Sequence, residues 1–292
     1  MRCQAFSACK DTTYFLIYKI KFAKLKKKQY FCGEVTNVKL FFMYPMLENP
    51  PVVVALAQVK FNLKDFKVKS ILEYDTSLKH KLPIRKGNIQ VGLNFENKTI
   101  PLGESKVSGI SNAEIGSYIY LSTNQKAKLE ISEDTLTYID ENPYVGWETF
   151  ISTALSLFKI LSPILENAEI QRTSIRFVNR FIFDDFNDPK DYFNTLITSA
   201  DGNSSYPLRQ YGFRMLMDIP DSDIYSIVNH NVENITQNKY LYTFDIDVLD
   251  RQKLVFDIDT MQHNFENLRL IKNKIFFDTI TEKTKQLCNS PK

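Results

Sequence analysis

The sequence predicts an α+β fold, a largely antiparallel sheet with long helices packed on one side of it. Three observations point there. Short runs of alternating apolar and polar residues follow one another with only polar turns between them, as in a strand meander. Two stretches carry apolar residues at helical spacing. With 43% hydrophobic and 13% aromatic residues, the 292-residue chain has apolar surface enough for one large core.

The first 42 residues stand apart from this pattern. They hold Cys3, Cys9 and Cys32, and nine lysines and arginines against Asp11 and Glu34, a local charge of +7 in a chain whose total is +3. The remainder therefore sums to −4, and the body offers no charge argument for nucleic-acid binding. Three readings of residues 1–42 are open: a basic leader upstream of a start near Met43 or Met46, a basic arm for a polyanion, or a helix around Tyr18 to Lys28. Residues 43–292 are expected to form a single domain.

From Pro50 onward each element has a local cause. Pro50 and Pro51 punctuate a Val- and Ala-rich strand, Val52 to Phe61. A polar helical stretch from Lys64 to about Lys81 follows, then strands near Ile89 to Phe95, Tyr118 to Leu121, Ala127 to Ile131 and Leu136 to Ile139. Ser122 to Gln125 and Ser132 to Thr135 are the turn-forming breaks that make the last three a meander. The strongest helix repeats Trp147, Phe150, Ile151, Ala154, Phe158, Leu161 and Leu165 along one side. Asn142 and Pro143 are expected to open it, and Pro163 to distort or restart its last turns. A long strand, Ile170 to Phe183, comes next. Asp188 is then expected to cap a helix over Pro189 to Thr198, followed by strands near Tyr211 to Ile219, Ile224 to Asn231 and Tyr240 to Val248, and a helix over about Phe265 to Leu287. The order of elements repeats, which predicts two related β-α-β(n)-α halves, about 46–168 and 169–288.

Several function classes lack their signs. No apolar run approaches the roughly 20 residues that cross a bilayer, and lysines follow rather than precede the apolar run at Tyr14 to Tyr18, so neither a membrane span nor a signal peptide is predicted. Cys3, Cys9, Cys32 and Cys288 make no even framework of staples, which suits reduced thiols in the cytoplasm. The glycines form neither GxGxxG nor GxxxxGK[ST], and no GxSxG or HExxH occurs, so no cofactor is expected. His80, His230 and His263 are scattered, each expected as a surface or packed residue.

Two sets of residues remain as candidate sites. Asp245 with Asp247, and Asp257 with Asp259, are i, i+2 pairs that would share one side of a strand and could hold a divalent cation. Their bland alternative is a half-buried strand whose acids face water or an arginine. Trp147 and its aromatic neighbours read as core rather than as a ligand platform. On the strand Ile170 to Phe183, alternation sets Ile175, Phe177, Phe181 and Phe183 on one side and Arg172, Ser174, Arg176, Val178 and Arg180 on the other. Arginines about 13 Å apart are too far from one another to converge on one small anion but suit an extended polyanion or a row of acidic partners. The internal alternative is that Asp245, Asp247 or Glu130 on neighbouring strands pairs with them.

Several segments stand out together: NPPVVVALAQVKF at Asn49 to Phe61, Tyr144, Trp147 and Phe150 in YVGWETF, Arg172, Arg176, Phe177, Asn179 and Arg180 in RTSIRFVNR, FDID at Phe244 to Asp247, and FFDTIT at Phe276 to Thr281. In their order and spacing they resemble a sporadically distributed family of prokaryotic proteins of unknown function. The resemblance covers about Met46 to Leu287 and leaves residues 1–42 outside. It implies a single accessory protein, encoded in variable, mobile or defence-associated regions, and supplies no activity. Three functions are then open. The first, preferred because catalytic motifs are missing, is a non-enzymatic binding or regulatory protein of a protein or nucleic-acid partner. The others are a metal-dependent nuclease or transferase using Asp245 and Asp247, and a polyanion-binding module using Arg172, Arg176 and Arg180.

Overall fold

The computed structural model describes residues 44–92, 112–184, 189–195, 210–236 and 239–290, all within one compact unit, Tyr44–Lys292. The basic stretch 1–42, with its three readings, and Asp188 lie outside the described residues.

The fold is α+β. Its middle is the pairing of β1 (Val52–Asn62) with β6 (Glu169–Phe183). Each of these strands is followed by a meander that runs back toward it. After β1 come β2 (Ile84–Gly92), β3 (Asn112–Leu121), β4 (Ala127–Ser132) and β5 (Thr135–Asp140). After β6 come β7 (Gln210–Asp218), β8 (Ile224–Thr236) and β9 (Lys239–Asp250). Both meanders end beside their own first strand, so the order across the sheet is β2-β3-β4-β5-β1-β6-β9-β8-β7, and two-residue β10 (Leu254–Val255) adds to β6. Every pairing is antiparallel. The path from centre to edge is thus the same in the two halves.

Alternation divides the residues of each strand between two environments. In β1, Ala55, Ala57, Val59 and Phe61 are buried while Val54, Leu56, Gln58 and Lys60 point the other way and stay half-exposed. Across the central seam the small Ala55 and Ala57 stand opposite Phe177 and Ile175 of β6, so the large rings have room to rise into the core. Trp147 and Phe150 close on Phe177 there, with ring centroids at 6.3 and 5.7 Å. Trp147 is a core residue, as expected, and its indole N–H donates to Glu266 at 2.6 Å.

The helices depart from the sequence reading at their ends. The predicted helix from Lys64 is a 3-10 turn, Val68–Tyr74, followed by α1 (Asp75–Lys81), because Asp65 takes φ 60°, a conformation a right-handed helix cannot pass through. β2 begins at Ile84, earlier than the expected Ile89. Asn142 and Pro143 do not open the next helix. Asn142 instead folds its amide and side chain onto Asp140 at 2.9 and 2.7 Å, and α2 (Trp147–Ile160) starts after Gly146, whose φ of 125° only glycine adopts readily. Pro163 restarts the chain as the short α3 (Ser162–Leu165), as anticipated.

In the second half the helix expected over Pro189 to Thr198 is, among the described residues, a 3-10 turn at Pro189–Asp191 that delivers Phe193 into the core, stacked 3.8 Å from Tyr242. The last helix begins earlier than Phe265. Asp257 caps α4 (Ile258–Thr279) by accepting from the amide and hydroxyl of Thr260, both at 2.8 Å. Asp257 and Asp259 are therefore a cap and a first-turn acid, which complement the helix dipole, and not a strand pair. The helix stops where Ile280 turns extended and bridges to Phe193, and Thr281 starts α5 (Glu282–Cys288).

α4 lays Met261, Phe265, Leu268 and Phe276 on the sheet, and half-buried Lys272 reaches Phe177 beside them. Its ammonium lies 4.3 Å from the centroid of Phe177. Burial, with the charge of Arg269 adding to it, lowers the amine from 10.5 to about 7. The unfolded chain consequently holds this proton more tightly between those values, and folding gains stability as pH rises through that window. Lys272→Met is expected to raise the urea midpoint at pH 6.5 and to remove the part of the wild-type rise between pH 7 and 10 that belongs to this amine. An unchanged midpoint at pH 6.5 would refute the assignment.

Candidate arginine face

One side of the sheet receives the helices. Phe177 meets Trp147 and Phe150 there, Thr173 donates to Asn264 of α4, and Asn264 donates to Asp250 at 2.6 Å. The register puts the opposite residues of the same strands on the other side. One row across that side runs Leu56, Arg176, Asp247, Ile227 and Leu216, from β1 through β6, β9 and β8 to β7. The neighbouring row runs Val54, Val178, Asp245, Asn229 and Arg214. Arg180 belongs to the next row, beside Thr243.

The three arginines predicted to share this face do so, but they are not equivalent. Arg176 grips Asp245 with both prongs, Nε to Oδ1 at 2.9 Å and Nη2 to Oδ2 at 2.7 Å, and Asn229 adds a 3.1 Å bond to Oδ2. The fork-on-carboxylate geometry is the strong form of an ion pair, and it raises the guanidinium's pKa further above its ordinary value. Arg172 turns toward β1 and donates to Gln58 at 2.6 Å, and Gln58 in turn donates to Thr137. Its Nε is buried with no partner among the described residues. Arg180 is exposed, and its side chain makes no hydrogen bond or ion pair with any described residue. The internal pairing considered for the arginines is therefore real for Arg176 alone. Glu130, the other proposed partner, accepts from Ser117 instead.

Asp247 is the unusual group. It stands opposite Arg176 in the register, and its Oδ1 is buried with no partner among the described residues. Burial pushes its carboxyl up to about 6, against the opposing pull of Arg176, with Asp245 adding to the rise and Arg172 and Arg214 countering it.

Asp245 and Asp247 point to one side, as an i, i+2 pair on a strand must, yet they do not suit a divalent cation. Both oxygens of Asp245 are held by Arg176, and that guanidinium repels a second positive charge there. Among the described residues no group of three His, Cys, Asp or Glu side chains is placed to hold a metal ion.

Other candidates are accounted for by packing. His230 lies between Phe213 and Phe244, at 4.5 and 4.6 Å, with Nδ1 2.6 Å from the Tyr242 hydroxyl, and burial lowers it to about 4, so it is a neutral core histidine. His80 and His263 are exposed. A shallow pocket in front of α2, lined among others by Val52, Asp140, Tyr144 and Phe150, offers one carboxylate, which is already engaged by Tyr138 and Asn142.

Arg214, Gln58 and Asn229 belong to the face and were not singled out from the sequence. Alternation in β7 sets Arg214 opposite to Phe213 and Met215, a signal that existed, but only the sheet order brings β7 within reach of Asp247.

Two substitutions probe this arrangement. Arg176→Gln leaves the carboxylate of Asp245, only 7% exposed, without its counter-ion, and because Arg176 itself is 47% exposed the expected loss is about 2 kcal/mol by urea denaturation at pH 7, below the range for fully buried pairs. Asp247 has its folded pKa raised from 3.8 to about 6, so folding takes up a proton between these values and stability falls as pH rises through them. Asp247→Asn is expected to match wild type near pH 3 and to be more stable by about 3 kcal/mol at pH 8; a variant equally stable at pH 8 would contradict the assignment. No family model matches the chain, and no curated protein is significantly similar to it.

Proposed function

We propose that the chain is a non-enzymatic binding protein of the sporadically distributed prokaryotic family it resembles, acting in the cytoplasm, and that its arginine face docks an acidic segment of a protein partner. The observation that carries this reading is the state of Arg180, exposed and without an ionic partner among the described residues, beside an Arg176 whose outer N–H groups remain free once Asp245 has taken two of its donors. Arginine is the side chain best suited to recognise carboxylates in pairs of hydrogen bonds.

A protein partner is favoured over nucleic acid for two reasons. Asp245 and Asp247 sit among the arginines and would repel a continuous row of phosphates. Ile182 and Leu216, each 66% exposed, share the face with the arginines, and a surface mixing arginine with apolar side chains has the composition of a protein interface.

The test places a photo-crosslinking residue at Ile182 or at Leu216, with Leu270 on the outer side of α4 as control, in the native host. The expected result is one discrete protein adduct from the two sheet positions, absent from Leu270 and lost on Arg180→Glu, with the crosslinked segment rich in Asp and Glu. Adducts formed equally from Leu270, adducts insensitive to Arg180→Glu, or recovery of nucleic acid in place of protein would overturn the reading.

A further inference from the structure

The two edges of the sheet differ in a way that the fold alone does not require. β2 closes one side and is guarded: Arg85 and Lys86 stand exposed on it, and its ladder with β3 shifts register between Asn88 and Ile89. β7 closes the other side with nine residues in unbroken register with β8, and it carries no proline, lysine or bulge. Among the described residues no strand pairs with its outer edge. Just past the strand, Ile219 donates its N–H to Ile224 at 2.9 Å, so the period of two turns the backbone groups of Met217, Met215 and Phe213 toward β8. Those of Asp218, Leu216 and Arg214 point outward, open to another strand. The side chains of these three residues are exposed, Leu216 to 66%. Arg214 and Asp218, about 13 Å apart along the strand, form no ion pair with each other or with any other described residue. On the helix side of the same strand, Met215 and Met217 pack against the core yet stay half-exposed.

We propose that β7 pairs antiparallel with β7 of a second copy of this chain about a two-fold axis at Leu216, joining the two sheets edge to edge. Such a contact requires a strand that complements its own reverse, and β7 does. With Leu216 opposite Leu216, Arg214 falls opposite Asp218 and Met215 opposite Met217. Each charge meets its opposite, the two leucines cover one another on the arginine side, and the methionines of both copies meet on the helix side. About six main-chain hydrogen bonds join the copies through Arg214, Leu216 and Asp218, and Pro220, with no N–H to give, ends the ladder. Neighbouring registers lack this match. An axis at Arg214 sets guanidinium against guanidinium, and one at Met215 sets Leu216 against Arg214 and Asp218 against Gly212. The pairing goes beyond the docking role proposed for a single chain, because it makes one continuous arginine face of two. It also gives a photo-crosslinking residue at Leu216 a second product, the chain joined to itself. Ile182 does not give that product, and the partner's adduct keeps its dependence on Arg180.

The experiment is analytical ultracentrifugation of the full chain over a concentration series. Wild type is expected to pass from monomer to dimer as its concentration rises. Leu216→Pro removes an outward N–H and no bond to β8, so it is expected to keep the circular-dichroism spectrum of wild type while remaining monomeric. Arg214→Asp and Asp218→Arg are each expected to weaken the dimer by about tenfold, because symmetry enters each like-charge pair twice. Combining Arg214→Asp with Asp218→Arg restores both pairs with their signs exchanged, and this double variant is expected to dimerise as wild type does. The charge series decides the matter by itself if Leu216→Pro fails to fold. Wild type that stays monomeric at every concentration overturns the pairing. So does a dimer that a folded Leu216→Pro leaves intact, or a double variant that dimerises no better than either single one.

Discussion

The antiparallel pairing of β1 with β6 is the contact on which the rest of the structure depends. It is the only described seam between the two halves of the sheet, and its register decides which residues of both strands face the helices. Ala55 and Ala57 are small where Phe177 and Ile175 are large, so the aromatic cluster with Trp147 and Phe150 forms over the seam and not beside it. A shift of one residue would send Phe177 to the open side and Arg176 into the core, a change that neither the packing nor the electrostatics tolerates. The position of the arginine face is in this sense a by-product of how the core is filled.

That face illustrates how unequal like residues become in context. Arg172, Arg176 and Arg180 have the same chemistry and the same spacing, yet one is tied to an amide, one to a buried carboxylate and one to solvent. The differences come from the strands on either side. β1 contributes Gln58, β9 contributes Asp245 and Asp247, and opposite Arg180 lies only Thr243. Burying two acids next to each other has a cost that a single bidentate partner cannot fully offset, and the cost appears in the reluctance of Asp247 to ionise.

Much of the fold was legible because its strands alternate cleanly and its helices carry wide apolar sides. The meander over β3 to β5 and the long β6 follow directly from alternation and polar turns. Helix ends were harder, for particular reasons. Asn142 had the right chemistry for a cap but found Asp140 first, and Gly146 assumed the role through a backbone angle that composition does not reveal. Asp257 looked like a strand acid because it alternates with Phe256 and Ile258, whereas its side chain turns back onto Thr260. The arginine row was visible as a stripe, but its partners were not. Neighbours on a strand can be read from sequence, while neighbours across a sheet depend on an order that places β9 between β6 and β8.

The same seam has a consequence for biosynthesis. Residues that pair across it, such as Lys60 and Arg172, are more than a hundred positions apart, so one edge of β1 lacks its partner until β6 has left the ribosome. At 5–20 residues per second this interval is roughly 6–20 s, long compared with the microseconds in which hairpins form. Throughout that interval the first half presents an apolar edge rich in valine and alanine, the kind of surface on which nascent chains aggregate. Only the arrival of the second half seals it, which makes the folding of this protein a late event in its own translation.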